Sequence, residues 1–316
     1  MKLCYIRNFL IKSSRSYNIR KSISFNKFNL RLFSSKLKYM FNNGVIKLPH
    51  YSKIEKGGED AYICHEGIIC VADGVGGWSE IGVDPAKYSN ELCENIKRTF
   101  FKKGHMLYHN PIEIFSESAL QTLSKGSATC CFCILDLEKE FLHTLNLGDS
   151  GYMIIRNKET LSTHSNAALD NILYENKEEN NNNNENLQIV YKSEEQQHSF
   201  NFPFQVGTNG DNPHSSETKM HKIQENDVII LGTDGLWDNL FDEQILQIIK
   251  PFLDVSPTIQ DVSLVAEMIG VIAEKHSHNQ NYKSPFSVKS KGLYLGGKAD
   301  DITIIVSQII KNENKI

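Results

Sequence analysis

Short apolar runs that each meet an aspartate at one end constrain this chain more than any other feature. Residues 61–64 follow Glu59-Asp60, 68–72 run into Asp73-Gly74, 228–232 run into Thr233-Asp234-Gly235, and 302–310 follow Asp300-Asp301. Runs of this length, rich in Ile and Val and bounded by Gly and Asp, read as buried strands. A single Asp-Gly after a strand is ordinarily a turn, because Asp bonds its own backbone and Gly accepts positive φ. Asp60, Asp73, Asp234 and Asp300 all stand in the same relation to such strands, with no basic residue read in the local sequence to neutralise them. If the strand ends meet, mutual repulsion raises the pKa values or recruits a cation. Carboxylate and carbonyl oxygens suit Mg²⁺ or Mn²⁺. No HExxH, paired CxxC or histidine cluster competes with them.

Helical periodicity fills the gaps between strands at 85–102, 111–123, 242–252 and 259–276. Strands 141–147 and 151–156 are expected to form a hairpin with Gly148-Asp149-Ser150 at its tip. Antiparallel sheets with helices on their outer faces follow from that alternation. Residues 165–193, centred on the asparagine run 180–184, carry too little apolar surface to fold and read as a disordered insertion. Cys130, Cys131 and Cys133 fall in a strand and read as core, Trp78 and Trp237 as anchors of the turns they follow, and His198 as a loop residue.

Charge is unevenly spread. Residues 1–54 hold twelve Lys or Arg and no acid, which leaves a balance of −16 on the rest. A basic, acid-free, amphipathic leader over 1–40 matches a mitochondrial presequence, with Arg31–Ser35 as the cleavage region and cleavage expected after Phe33. That leader implies the import machinery as a partner and the matrix as the location. The acidic remainder, with only Arg98 and Arg156, argues against nucleic-acid binding. No window reaches the ~18–20 apolar residues of a membrane helix, so a transmembrane chain is not expected. Seven cysteines without a CxxC pair argue against a disulfide framework or structural zinc.

Gly58-Glu59-Asp60-Ala61, Val71–Trp78 (with Asp73-Gly74-Val75-Gly76-Gly77), Gly126-Ser127-Ala128-Thr129, Asn146–Gly151, Thr233–Asp238 and Asp300–Thr303 occur in that order. The series resembles the type 2C metal-dependent Ser/Thr protein phosphatases, the PPM family, from about Glu55 to Ile310. Gly82–Pro85, Glu195–His198, Asn201 with Pro203–Gln205, Ser284-Pro285-Phe286 and Gly296-Gly297-Lys298 are similar to its mitochondrial branch. The resemblance implies an α+β fold over 45–311, a four-layer αββα sandwich of two antiparallel sheets flanked by helices. It also implies an enzyme that hydrolyses phosphoserine and phosphothreonine in proteins by direct attack of a metal-bridging hydroxide.

Carried over by position, Asp73 bridges two Mg²⁺ or Mn²⁺ ions, the Gly74 carbonyl binds one, and Asp234 and Asp300 bind the other. Asp60 lies close by, and Asp149 helps to hold a third ion. Two positions depart from the family. Val75 stands where a histidine is frequent, and Glu55 stands where an arginine usually binds phosphate, leaving Lys53 and Lys56 as the candidate clamps. Those departures keep a non-hydrolysing phosphoprotein binder and a small-phosphoester hydrolase open as alternatives.

Overall fold

A computed structural model describes residues 37–137, 139–158 and 186–313. The leader up to residue 36, with its cleavage region, and the asparagine run lie outside the described residues. In chain order the strands are β1 (Tyr39–Leu48), β2 (Ala61–Cys64), β3 (Ile68–Ala72), β4 (Ser127–Ala128), β5 (Cys130–Leu135), β6 (Phe141–Leu147), β7 (Gly151–Asn157), β8 (Leu187–Lys192), β9 (Gln197–Ser199), β10 (Phe202–Pro203), β11 (Val206–Gly207), β12 (Glu217–Lys222), β13 (Val228–Gly232) and β14 (Ile302–Lys311). The helices are α1 (Pro85–Leu107), α2 (Pro111–Gln121), α3 (Asp234–Trp237), α4 (Asp242–Val255), α5 (Val262–Ser277) and α6 (Pro285–Lys289).

Two five-stranded antiparallel sheets, ordered β1-β14-β13-β7-β8 and β12-β6-β5-β3-β2, form the middle layers. Period-2 alternation decides which side chain enters which layer. Ile229 and Leu231 of β13 and Ile305 and Ile309 of β14 join a core shared with β3, β5, β6, α1 and α2. The alternate residues Val228, Ile230, Ile304 and Val306 face Ile245, Ile249, Val265 and Ile269 of α4 and α5. Helices thus cover both outer faces, as the resemblance implied.

Three expectations are corrected. The domain starts before residue 40, because Leu37 is buried and β1 pairs with β14 from Tyr39↔Lys311 to Leu48↔Ile302. Asn42-Asn43-Gly44 looks like a turn, yet the strand runs through it. Asn43 accepts a hydrogen bond from Ser307 Oγ and donates to the His65 carbonyl at 3.1 Å, so its amide serves cross-strand partners. The insertion ends sooner than expected, since residues 187–192 are β8, an edge strand on β7. No hairpin joins β6 to β7. β6 lies between β12 and β5 in one sheet, and β7 between β13 and β8 in the other. The whole of Leu142–Ile155 is buried, so neither strand has the solvent face of an isolated hairpin. Residues 148–150 cross between layers instead, and Gly148 at φ 103° supplies a turn that other residues rarely adopt.

The Tyr152 hydroxyl and His221 Nε2 share a hydrogen bond of 2.7 Å beneath the Tyr191 ring. Burial pushes the His221 pKa down to about 4. The unfolded chain, titrating near 6.5, therefore takes up the proton first. This contribution is complete above pH ~6.5 and disappears as pH falls towards 4. Between pH 7 and 4.5 the wild type should lose roughly 2–4 °C more in Tm than His221→Gln, an allowance that discounts for the ring's partial exposure. Equal losses by calorimetry would remove His221 from the acid response.

Candidate metal centre

Each site aspartate sits where a strand enters or leaves the same end of the sandwich. Pairing of Ala61 with Ala72 puts Asp60 and Asp73 side by side at the ends of β2 and β3. Pairing of Gly232 with both Gly151 and Ile304 brings Asp234, Asp149 and the entry to β14 together in the other sheet. Thr233, the N-cap of α3, joins the two layers. Its hydroxyl donates to Asp60 Oδ2 at 3.0 Å and accepts from the Thr303 amide at 3.1 Å. Gly74 forms a bridge with Ala128, and a Cβ there would stand 2.8 Å from the Glu59 carbonyl. Close backbone approach thus accounts for glycine in the Asp-Gly pair.

The carboxylates feel one another. Burial and then the charges of Asp60, Asp234, Asp300 and Asp149 push the Asp73 pKa well above the usual carboxylate range. Burial, with Asp301 next, raises Asp60 to about 7. Burial and Asp234 raise Asp300 to about 6 against the opposing lysines. Asp149 is raised well above its ordinary value, again chiefly by burial. Asp234 goes the other way: burial would raise it, but the Lys298 ammonium and hydrogen bonds to its carboxylate together lower it.

Lysines do enter this centre, contrary to the expectation of no local base. Lys298 Nζ bonds Asp234 Oδ2, lies 3.0 Å from Asp238 Oδ2 and lies 3.7 Å from Asp300 Oδ2. Lys53 Nζ lies 2.6 Å from Glu59 Oε2, 3.2 Å from Asp301 Oδ2 and 3.6 Å from Asp300 Oδ1. The two candidate phosphate clamps therefore differ. Lys53 is engaged by three carboxylates, while Lys56 is exposed and makes no ion pair among the described residues. Glu55 is exposed on the same turn, and Val75 precedes the turn Gly76–Ile81.

A recurring detail tests whether this donor set suits a cation. Asp60, Asp149 and Asp234 each have Oδ2 held by a protein donor: Thr233, Gln197 at 3.3 Å, and Lys298 respectively. In each, Oδ1 is buried with no hydrogen-bond partner. Unpaired buried oxygens are costly, and in native proteins they point to a missing water or ion. The donors are hard oxygens and fit Mg²⁺ or Mn²⁺. Among the described residues no three Asp, Glu, His or Cys side chains are already drawn to metal-holding spacing. The space between Asp234, Asp238 and Asp300 is filled by Lys298.

Thr233, Asp238, Asp301 and Lys298 were not assigned roles from sequence. Asp301, 2% exposed, accepts the His50 amide at 2.6 Å and the Glu59 amide at 2.7 Å, and so pins the turn before Asp60. Lys298 stood within Gly296-Gly297-Lys298, but nothing in one-dimensional spacing pairs it with Asp234. Trp78 Nε1 donates to Ser127 Oγ and Trp237 Nε1 to the Gly232 carbonyl, as anchors should. His198 lies in β9 and pairs with Asp211 at 3.0 Å. The cysteines of β5 are fully buried.

No family model matches the chain. It is 35% identical over 282 residues to Probable protein phosphatase 2C 55 of Arabidopsis thaliana, covering 86% of this chain and 52% of that protein. It thus spans about half the length of that relative. With Protein phosphatase PTC7 homolog of Danio rerio it shares 34% identity over 259 residues, covering 76% of each. Among solved structures, that of the photosystem II phosphatase PBCP aligns with a TM-score of 0.70 at 28% identity, covering 85% of this chain and 98% of that one.

Proposed function

The chain belongs to the type 2C (PPM) protein phosphatases, and on that premise we propose that it hydrolyses phosphoserine and phosphothreonine in proteins with two divalent cations. The observation that carries this reading is the pattern of half-satisfied carboxylates: Asp60, Asp149 and Asp234 each present one oriented, unpartnered oxygen at the same end of the sandwich. Asp60, Asp73, the Gly74 carbonyl, Asp149, Asp234 and Asp300 would hold Mg²⁺ or Mn²⁺, with Asp149 available to a third ion. Such ions, when bound, lower the pKa of water towards neutrality and screen phosphoryl charge.

The protein's own part is orientation. Thr233 and Gln197 fix the rotation of Asp60 and Asp149, as partners behind ligands do. Lys53 and Asp301 brace the turn that carries Glu59 and Asp60. Lys53 is committed to that brace and Glu55 faces solvent, so phosphate recognition rests mainly on the cations, with the uncommitted Lys56 adding a point-charge attraction.

The test is an assay of the full chain on phosphoserine peptides and small phosphoesters, with Mn²⁺ or Mg²⁺ and with chelator. Hydrolysis of the peptides that needs the cation is expected. Peptide binding without turnover would favour the non-hydrolysing alternative, and turnover of small phosphoesters alone would favour the other. We place the enzyme in the mitochondrial matrix on the strength of its acid-free leader. A fluorescent passenger fused to residues 1–33 should enter the organelle; a cytosolic passenger would overturn the location.

A further inference from the structure

We propose that Lys298 is a tethered counter-cation: it neutralises the carboxylates of the metal-free centre and opposes the binding of a divalent cation beside Asp234. The inference rests on the metal-centre reading above and concerns how that centre is regulated. Its ground is the way the lysine is held. The Lys298 amide donates to Asn239 Oδ1 at 2.9 Å, and its carbonyl accepts from Asn239 Nδ2 at 2.8 Å. Asn239 is fully buried and also donates to the Gly235 carbonyl at 3.0 Å. One side chain therefore ties the lysine to the helical turn that begins with Asp234.

The Lys298 side chain is 15% exposed, and its ammonium lies 5.3 Å from the centre of the Phe286 ring. Asp238 is shared with Lys289, which also pairs with Glu195. A surface lysine would sample many rotamers; this one is anchored at both its peptide and its ammonium. Its charge sits on Asp234 Oδ2, the other oxygen of the carboxylate whose unpaired Oδ1 would draw a cation. A positive charge so close opposes an incoming dication by Coulomb repulsion and by competing for the same carboxylate. Linkage then works in both directions: the lysine stabilises the empty centre and raises the cation concentration needed to fill it.

The experiment compares the full-length wild type, Lys298→Gln and Lys298→Arg by calorimetric titration with MnCl₂ and by thermal melting. Lys298→Gln should melt below the wild type without metal and show a larger rise in Tm on adding Mn²⁺. It should also bind Mn²⁺ at least about tenfold more tightly. Lys298→Arg, which keeps the charge, should stay within about threefold of wild type. If Lys298→Gln is unfolded without metal, refolding on addition of Mn²⁺ supports the proposal, and failure to refold at saturating Mn²⁺ overturns it. Equal or weaker Mn²⁺ binding by Lys298→Gln overturns the proposal while leaving the metal-centre reading standing. A wild type that binds no Mn²⁺ overturns both.

Discussion

Replacing Asp73 by Asn should lower kcat on a phosphoserine peptide by about a thousandfold or more while leaving the fold intact. Several kcal/mol of transition-state stabilisation are expected from cations held here, at about 1.4 kcal/mol per tenfold in rate. Asp73 is the side chain whose pKa feels Asp60, Asp234, Asp300 and Asp149 together, so it stands at the meeting point of both sheets. An amide is nearly isosteric but neutral and a poorer ligand. Removing one negative charge from a crowded acidic site relieves repulsion, so the metal-free variant should melt at or above the wild-type temperature. The rise in Tm that Mn²⁺ gives the wild type should shrink in the variant. Circular dichroism and melting with and without Mn²⁺ separate this from misfolding. Undiminished turnover in Asp73→Asn would remove the shared-cation centre from consideration.

How much of this was legible in sequence depended on whether a residue's role is local. Asp60, Asp73, Asp234 and Asp300 announced themselves because a buried strand followed by Asp-Gly, or preceded by Glu-Asp or Asp-Asp, is visible within a few residues. Helices α1, α2, α4 and α5 were visible through their 3.6-residue period, although their ends moved by a few residues. β1 was missed because it adjoins the basic leader that was set apart from the fold and its partners, Ser307 and His65, lie far along the chain. Strands β6 and β7 were mispaired because sequence adjacency favours a hairpin, whereas burial on both faces forced them into different sheets. Lys298 escaped notice for a related reason. An ammonium 64 residues from Asp234 reads as solvated until Asn239 is seen holding its backbone. Local chemistry was readable; the long-range brackets that aim it were not.

Gly235→Ala should be the most damaging single-methyl change near the centre. A Cβ at Gly235 would lie 2.1 Å from the Asp301 carbonyl and 2.9 Å from Ile302 Cγ1, where ordinary contact begins at 3.4 Å. The turn that carries Asp234 and the strand entry that carries Asp300 must then separate by roughly 1 Å, because packed interiors have no slack to absorb the methyl. Overpacking of this kind costs about 1–3 kcal/mol, only partly offset by the ~1 kcal/mol that alanine gains over glycine in a helix. Displacement by ~1 Å within a reacting constellation is associated with rate losses of about a hundredfold. The variant should therefore be folded, less stable by a few degrees, and at least about a hundredfold slower. Gly77→Ala is the matched control, since a Cβ there meets nothing within 4 Å and the residue has no left-handed φ. It belongs to the Asp73–Gly77 motif, yet it should keep wild-type turnover. If both variants were equally active, the spacing between Asp234 and Asp300 would not govern the chemistry. If both were equally impaired, the glycines would matter for a reason other than the room around them.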